Sequence, residues 1–390
     1  MIITDTVNFA LGAAFFVSSL FKAIFAYLAE NKLPGDGKVH IKGIGLQQTL
    51  PEDLPSITEV KAALPKRCFQ SELSTSMYYA VKDFVQVALA VLIYVYLDSW
   101  VASSLALRAA LALLYWAVQG TFFFALFVLG HDCGHGSFSD NVLLNDVVGT
   151  VSHAVLMVPY YQWKLSHRNH HQNTGNFDRD EVFYPVRRSQ QTPSGSKMLP
   201  GFAFGVGWYI YLAVGYNPRR VHHFQPFDAM FVGHLVGCLF SLAGIVISLY
   251  FVYLYLVVYG LVSLVVVYAV PLFVFGSYVV VVTFLHHSEV NIPWYSDGRW
   301  TYVRGQLSSV DRHYGIVHDV IHSIGTHQMH HMFTRIPHYR LEEATEHFRR
   351  AYPHLVRACD EPILPSFVRM FQKFEEQATL EENAKEHVYK

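Results

Sequence analysis

The strongest constraint on this chain is a set of apolar stretches too long for a soluble core. Residues 84–101 and 105–129 are each near the ~20 residues a helix needs to cross the hydrocarbon core of a bilayer. Only Val101-Ala102-Ser103-Ser104 lies between them, enough for a tight hairpin. A second pair, 229–253 and 254–285, follows with no clear polar break, and Pro271 falls inside its second member. Lipid offers backbone groups no water, so such stretches must be helical. The expected architecture is all-α and polytopic, with about four transmembrane helices in two hairpins. Residues 141–161 and 201–216 are less uniformly apolar and are expected to lie at the interface. Charged residues are 15% of the chain, against about a quarter in soluble domains, which agrees.

Residues 7–29 form another apolar stretch, interrupted by Lys22, with no basic segment before it and a poor cleavage pattern. It reads as a membrane anchor that leads into an irregular linker with prolines at 34, 51 and 55. A net charge of −1 gives no case for nucleic acid, and four scattered cysteines suggest neither a disulfide frame nor a zinc knuckle.

Histidine carries the chemistry. His131-Asp132-Cys133-Gly134-His135 is followed by His167-Arg168-Asn169-His170-His171 and, far along the chain, by His327-Gln328-Met329-His330-His331. Residues three and four apart share a helix face, so each cluster is expected to aim two or three imidazoles at one spot. Imidazole suits iron, zinc and copper. A lone histidine is usually a core or surface residue, but three clusters at helical spacing are hard to obtain that way. Eight such ligands exceed the need of one four-coordinate zinc, so the count argues for two metals.

If each hairpin crosses and returns, all three clusters fall on one side of the membrane. Lys82, Lys164, Arg168, Arg187, Arg188, Arg219 and Arg220 share that side, and Arg108 near a hairpin tip is the exception. The positive-inside rule makes the histidine side cytosolic, with the polar chain beyond Trp294 as its cap.

These residues resemble the histidine boxes of the integral-membrane fatty acyl desaturases. The similarity extends through HDCGHGSFSD (131–140), VPYYQWKLSHRNHHQNTGNFDRDEVFYP (158–185), RGQLSSVDR (304–312) and IGTHQMHHMFTRIPHYRLEEAT (324–345), which look like the methyl-end branch of ω3 and Δ12 desaturases. The resemblance implies a desaturase domain over 55–350, flanked by an N-terminal segment and linker (1–54) and a C-terminal cytosolic tail (351–390). It implies two iron ions that activate O2 to remove two hydrogens from an acyl chain. The matching ligands are His131, His135, His167, His170, His171, His327, His330 and His331. A ninth is expected from Leu285-His286-His287, with His287 favoured and His286 beside the site. Asp132 and Asp180 are candidates to orient imidazoles, and His322 is an outlying one. His327 heads the third box, where front-end desaturases carry Gln, and the fused haem motif His-Pro-Gly-Gly does not occur. Electrons are therefore expected from a separate cytochrome b5 and its NADH reductase, in the endoplasmic reticulum membrane. The substrate is expected to be a phospholipid-linked or coenzyme A-linked acyl chain. ω3 desaturation of linoleoyl chains is favoured; the alternatives are Δ12 desaturation of oleoyl chains or a hydroxylase or acetylenase variant.

Two readings from other classes fit less well. A metal transporter would place ionisable residues along its spans, which here are almost free of them. A membrane zinc hydrolase would carry a Glu beside the metal, and no box contains one.

Overall fold

A computed structural model of the chain describes residues 45–46, 49–190, 205–377 and 379–390. The expected anchor at 7–29 lies outside them. In chain order the helices are α1 (Ile57–Ala62), α2 (Leu73–Trp100), α3 (Leu105–His135), α4 (Val142–Ala154), α5 (Tyr160–Asn173) and α6 (Val206–Val214). They continue as α7 (Leu235–Leu264), α8 (Val270–His287), α9 (Tyr302–Gln306), α10 (His327–Met332), α11 (His338–Ala351) and α12 (Ile363–Glu376). The fold is mostly helical, but not wholly: three two-stranded ladders pair β1 (Val186–Arg187) with β5 (Thr379–Leu380), β2 (Pro293–Tyr295) with β6 (Glu386–Val388), and β3 (Asp311–Arg312) with β4 (Ala358–Cys359).

Among the described residues, three helical runs are long and apolar enough to cross a membrane: Leu73–Trp100, Leu105–His135 and Leu235–His287. The first starts well before residue 84, because Lys82 and Asp83 hide its opening turns from a hydropathy reading. Asp83 is in fact buried. The loop to α3 is capped by Ser104, whose Oγ accepts from Leu107 N–H, and braced by a two-bond pair between Arg108 and Asp98. The third is one continuous run in place of the two expected spans, 229–253 and 254–285; it begins at Leu235, after a separate turn at Ala229–Phe231. Inside it Gly260 leaves helical geometry, at φ 79° and ψ 168°, a conformation glycine adopts readily.

α3 is the most enclosed of these helices. It packs against α8 closely enough that a side-chain carbon on Gly120 would lie 2.3 Å from Val274. The chemistry of Pro271 explains part of the grip. Proline has no N–H to give the carbonyl four residues back, and Val265–Ala269 widens into a π-helical turn there. The freed carbonyl of Val267 accepts from Tyr115 Oη at 2.7 Å, and that of Val266 from Trp116 Nε1 at 2.8 Å. Both donors belong to α3, so the defect in one helix is satisfied by the other.

Beneath the polar end of this bundle lies an aromatic core that includes Phe127, Trp163, Trp208, Tyr211 and Phe275. The polar cap closes over it. Residues 351–390, expected as a tail, pack on the body: Phe367 lies edge-on to Phe284 at 5.5 Å, and Arg369 bonds buried Glu289.

Candidate metal centre

The histidines come from four elements that end at the same place: the last turn of α3, the length of α5, the end of α8 and the short α10. The first box thus sits on a membrane-length helix, not just past it. His131, His135, His167, His171 and His330 bring one nitrogen each to within 4.8 Å of one another. His170, His287 and His331 form a second group by the same measure, and His327 joins it through an Nε2–Nε2 separation of 3.1 Å from His287. The boxes do not map one to a site. The second and third each divide between the two groups, because adjacent helical residues point about 100° apart at 3.6 residues per turn.

The donor set suits metal. Burial, reinforced by neighbouring rings, pushes His167, His171, His327, His330 and His331 well below the usual imidazole range, so their lone pairs are free. Nε2–Nε2 separations run from 3.0 to 3.2 Å within the groups. Two ligands at right angles around a metal with bonds of about 2.1 Å stand about 3.0 Å apart. Five neutral rings cannot all satisfy one another by hydrogen bonds, but a shared cation satisfies every lone pair.

Behind the rings stand acceptors. Asp180 Oδ1 lies 2.8 Å from His170 Nδ1, and it also takes the N–H of Glu181 at 2.8 Å. Asp132 is more distant from His131 Nδ1, at 3.6 Å; its close partner is His338, through the backbone N–H at 3.0 Å and Nδ1 at 2.9 Å. His286 points away from the groups, with Nδ1 2.5 Å from the Val310 carbonyl and Nε2 2.9 Å from Tyr314 Oη. His287, one residue on, points in. His322 is outside both groups and bonds buried Asp83 at 2.6 Å. Sequence reasoning missed Gln306, Thr174 and His338. Gln306 and His338 fall in the RGQLSSVDR and IPHY stretches, where a single polar residue carries no periodic signal.

Most of the basic residues counted for the histidine side have partners within the chain. Lys164 pairs with Asp146, Arg187 with Asp178 and Arg188 with Glu381, while Arg219 bonds the carbonyls of Asp180 and Phe177. Arg220 bonds Asn217. Arg168 differs. It is exposed on a cleft of about 320 Å³ lined also by His135, His171, Gln172 and Tyr302.

Comparison with known proteins places these features in a family context. The family model described as Fatty acid desaturase matches residues 108–362. The sn-1 acyl-lipid omega-3 desaturase (ferredoxin) of Nostoc sp. (strain 36) is 38% identical over 314 residues, covering 80% of this chain and 85% of that protein. The acyl-lipid omega-3 desaturase (cytochrome b5), endoplasmic reticulum, of Arabidopsis thaliana is 40% identical over 307 residues, 74% of this chain and 75% of that one. An omega-6 fatty acid desaturase, endoplasmic reticulum isozyme 2, of Glycine max is 34% identical over 328 residues, 80% and 85% respectively.

Proposed function

Because the chain belongs to the fatty acid desaturase family, a family of oxidoreductases, we propose that it desaturates the methyl-end half of an unsaturated acyl chain, with ω3 desaturation of linoleoyl and related chains as its main reaction. The observation that carries this reading is the pair of histidine groups set directly against an aromatic, water-excluding core. Trp163 stacks on His167 at 4.5 Å and meets Phe127 edge-on at 5.1 Å, so one indole separates the polar groups from the apolar interior. An apolar chain held against that indole would have its methylenes beside the histidines. The ω3 preference rests on relatives named for it at 37–40% identity, against 34% for the omega-6 relative.

The residues that would hold two iron ions are His131, His135, His167, His171 and His330 in one group and His170, His287, His327 and His331 in the other. Iron bound there would supply O2 activation and hydrogen removal. In the overall reaction two C–H bonds break on neighbouring carbons and one C=C forms. O2 leaves as two waters, taking two hydrogens with their electrons from the acyl chain, two more electrons from an outside donor and two protons from solvent. The chain's own part is to keep the imidazoles neutral and oriented, and to keep water from the acyl segment. We read the donor as cytochrome b5 in the endoplasmic reticulum, approaching the cleft at Arg168; the Nostoc relative is named for ferredoxin.

We also read the run Leu235–His287 as crossing twice, turning at Gly260. Its 53 residues would extend about 80 Å if straight, against a hydrocarbon core of about 30 Å. Tyr255 before the turn and Val266 after it pack on the same Tyr94–Tyr115 cluster. Four crossings put both histidine groups on one side, which the basic residues make cytosolic.

Expression in a host yeast fed linoleate tests the reaction, with products located by mass spectrometry. α-Linolenate is the expected product. Untouched linoleate together with conversion of oleate to linoleate assigns Δ12 chemistry instead.

A further inference from the structure

Gln306 is fully buried at the end of α9. Its Nε2 donates to the carbonyl oxygen of His171 at 2.9 Å, and its Oε1 stands 3.2 Å from His331 Nδ1. The first bond decides which end of the amide is which, since a carbonyl oxygen only accepts. Oε1 therefore faces His331, and only a protonated Nδ1 can bond to it. Thr174 Oγ1 stands 3.0 Å from the same nitrogen. That hydroxyl gives its own proton to the His170 carbonyl at 2.8 Å, so it too can only accept from the ring. Two acceptors on Nδ1 hold the proton there and leave the lone pair on Nε2. His331 Nε2 is buried with no hydrogen-bond partner, as a nitrogen reserved for a cation should be.

The two ends of the amide serve different groups. His171 belongs to the larger group and His331 to the smaller. One side chain therefore ties the backbone beneath one site to the ring of the other, while Thr174 ties the His170 backbone to His331 within the smaller group.

We propose that Gln306 is a positioning residue that sets the tautomer of His331. The proposal rests on the reading that both groups bind iron. Partners of this kind commonly change metal affinity by about 10- to 100-fold when lost, and orient the ligand that they touch.

The test compares Gln306→Met with Gln306→Glu, using purified full-length protein reconstituted with ferrous iron. Iron per chain is read against a graded chelator, with Mössbauer spectra of each form. Gln306→Met removes both bonds. It is expected to lose iron from one site about 10- to 100-fold more readily than wild type, with the other site retained and one Mössbauer component altered. Gln306→Glu keeps the acceptor facing His331 and loses only the donor to His171, so it is expected to retain the wild-type iron affinity and spectrum at both sites. A Gln306→Met protein with wild-type iron retention and spectrum overturns the proposal, as does a Gln306→Glu protein indistinguishable from Gln306→Met. If Gln306→Met does not accumulate, Thr174→Val removes the other acceptor on the same nitrogen and is expected to weaken iron at one site; full retention overturns the assignment. Wild-type protein that holds a single iron would instead refute the reading of two iron sites, so the two failures are distinct.

Discussion

Asp180 offers the sharpest test of how the smaller group is held. Its carboxylate is fully buried, accepts from Nδ1 of His170 at 2.8 Å, from the N–H of Glu181 at 2.8 Å and more weakly from that of Val182 at 3.3 Å, and has no positively charged side chain as a hydrogen-bond partner. Asp180→Asn leaves an oxygen acceptor in the same place and removes the charge. A hydrogen bond to a charged group contributes about 1.5–3 kcal/mol and a neutral one about 0.5–1.5, so the loss should be about 1 kcal/mol. That is roughly a five- to tenfold weakening of metal binding at the group that contains His170. Asp180→Ala is a different perturbation. It strands the His170 and Glu181 donors at about 1–3 kcal/mol each, or about 2–6 kcal/mol together, a large part of the 5–15 kcal/mol typical of a folded domain, and also leaves the half-buried Val182 N–H without its acceptor. The expected outcome is a protein that accumulates poorly or melts early, while the Asn variant folds and binds iron somewhat more weakly. Thermal unfolding followed by fluorescence-detected gel filtration reads the first effect, and chelator competition reads the second. Asp180→Ala protein with wild-type melting and iron retention would refute the argument from stranded donors. Equal damage from Asn and Ala would show that charge, not the acceptor, holds His170.

Adjacent histidines at the end of α8 should behave differently: His287→Ala is expected to lose iron, whereas His286→Ala should keep it, as metal analysis of the two purified proteins will show. Burial pushes Glu181 up to about 8, from an ordinary value near 4.5, although the Ser166 hydroxyl opposes the shift. The folded state then binds a proton that the unfolded state has released between those values. Stability should therefore fall as pH rises from about 4.5 to about 8, by up to about 1.4 kcal/mol per unit, and Glu181→Gln should remove this slope in melts taken across that range. A side-chain carbon on Gly325 would lie 1.9 Å from the Arg312 carbonyl oxygen, so Gly325→Ala must move backbone two residues before His327. It should lower iron content and activity together, by a destabilisation of about 1–3 kcal/mol that thermal unfolding can read.

Much of the architecture was legible because its signals are local. Long apolar runs have one physical solution in lipid, so α2, α3 and the Leu235–His287 run follow from hydropathy alone. Their edges do not: Asp83 is buried against His322 from far along the chain, and no window of neighbouring residues contains that pairing. The short ladders were invisible for the same reason. Two- and three-residue strands have no periodicity to detect, and β5 and β6 pair with segments earlier in the chain. The basic residues show a limit of another kind. Counting charges found Lys164, Arg187 and Arg219, but only the fold shows that each is already bonded.

For the site, the residue types and spacings by themselves determined that imidazoles would gather in numbers sufficient for two metals. That inference needs only the 3.6-residue turn. How the rings divide was a tertiary decision. His170 and His171 differ by one residue and therefore by about 100° around α5, so the same helix must feed two places. Which place each ring meets depends on where α3, α8 and α10 end. The choice of His287 over His286 has the same origin. Both are apposite by sequence, but β3 and its neighbours bring the Val310 carbonyl and Tyr314 to one ring, and α5 brings His170 to the other.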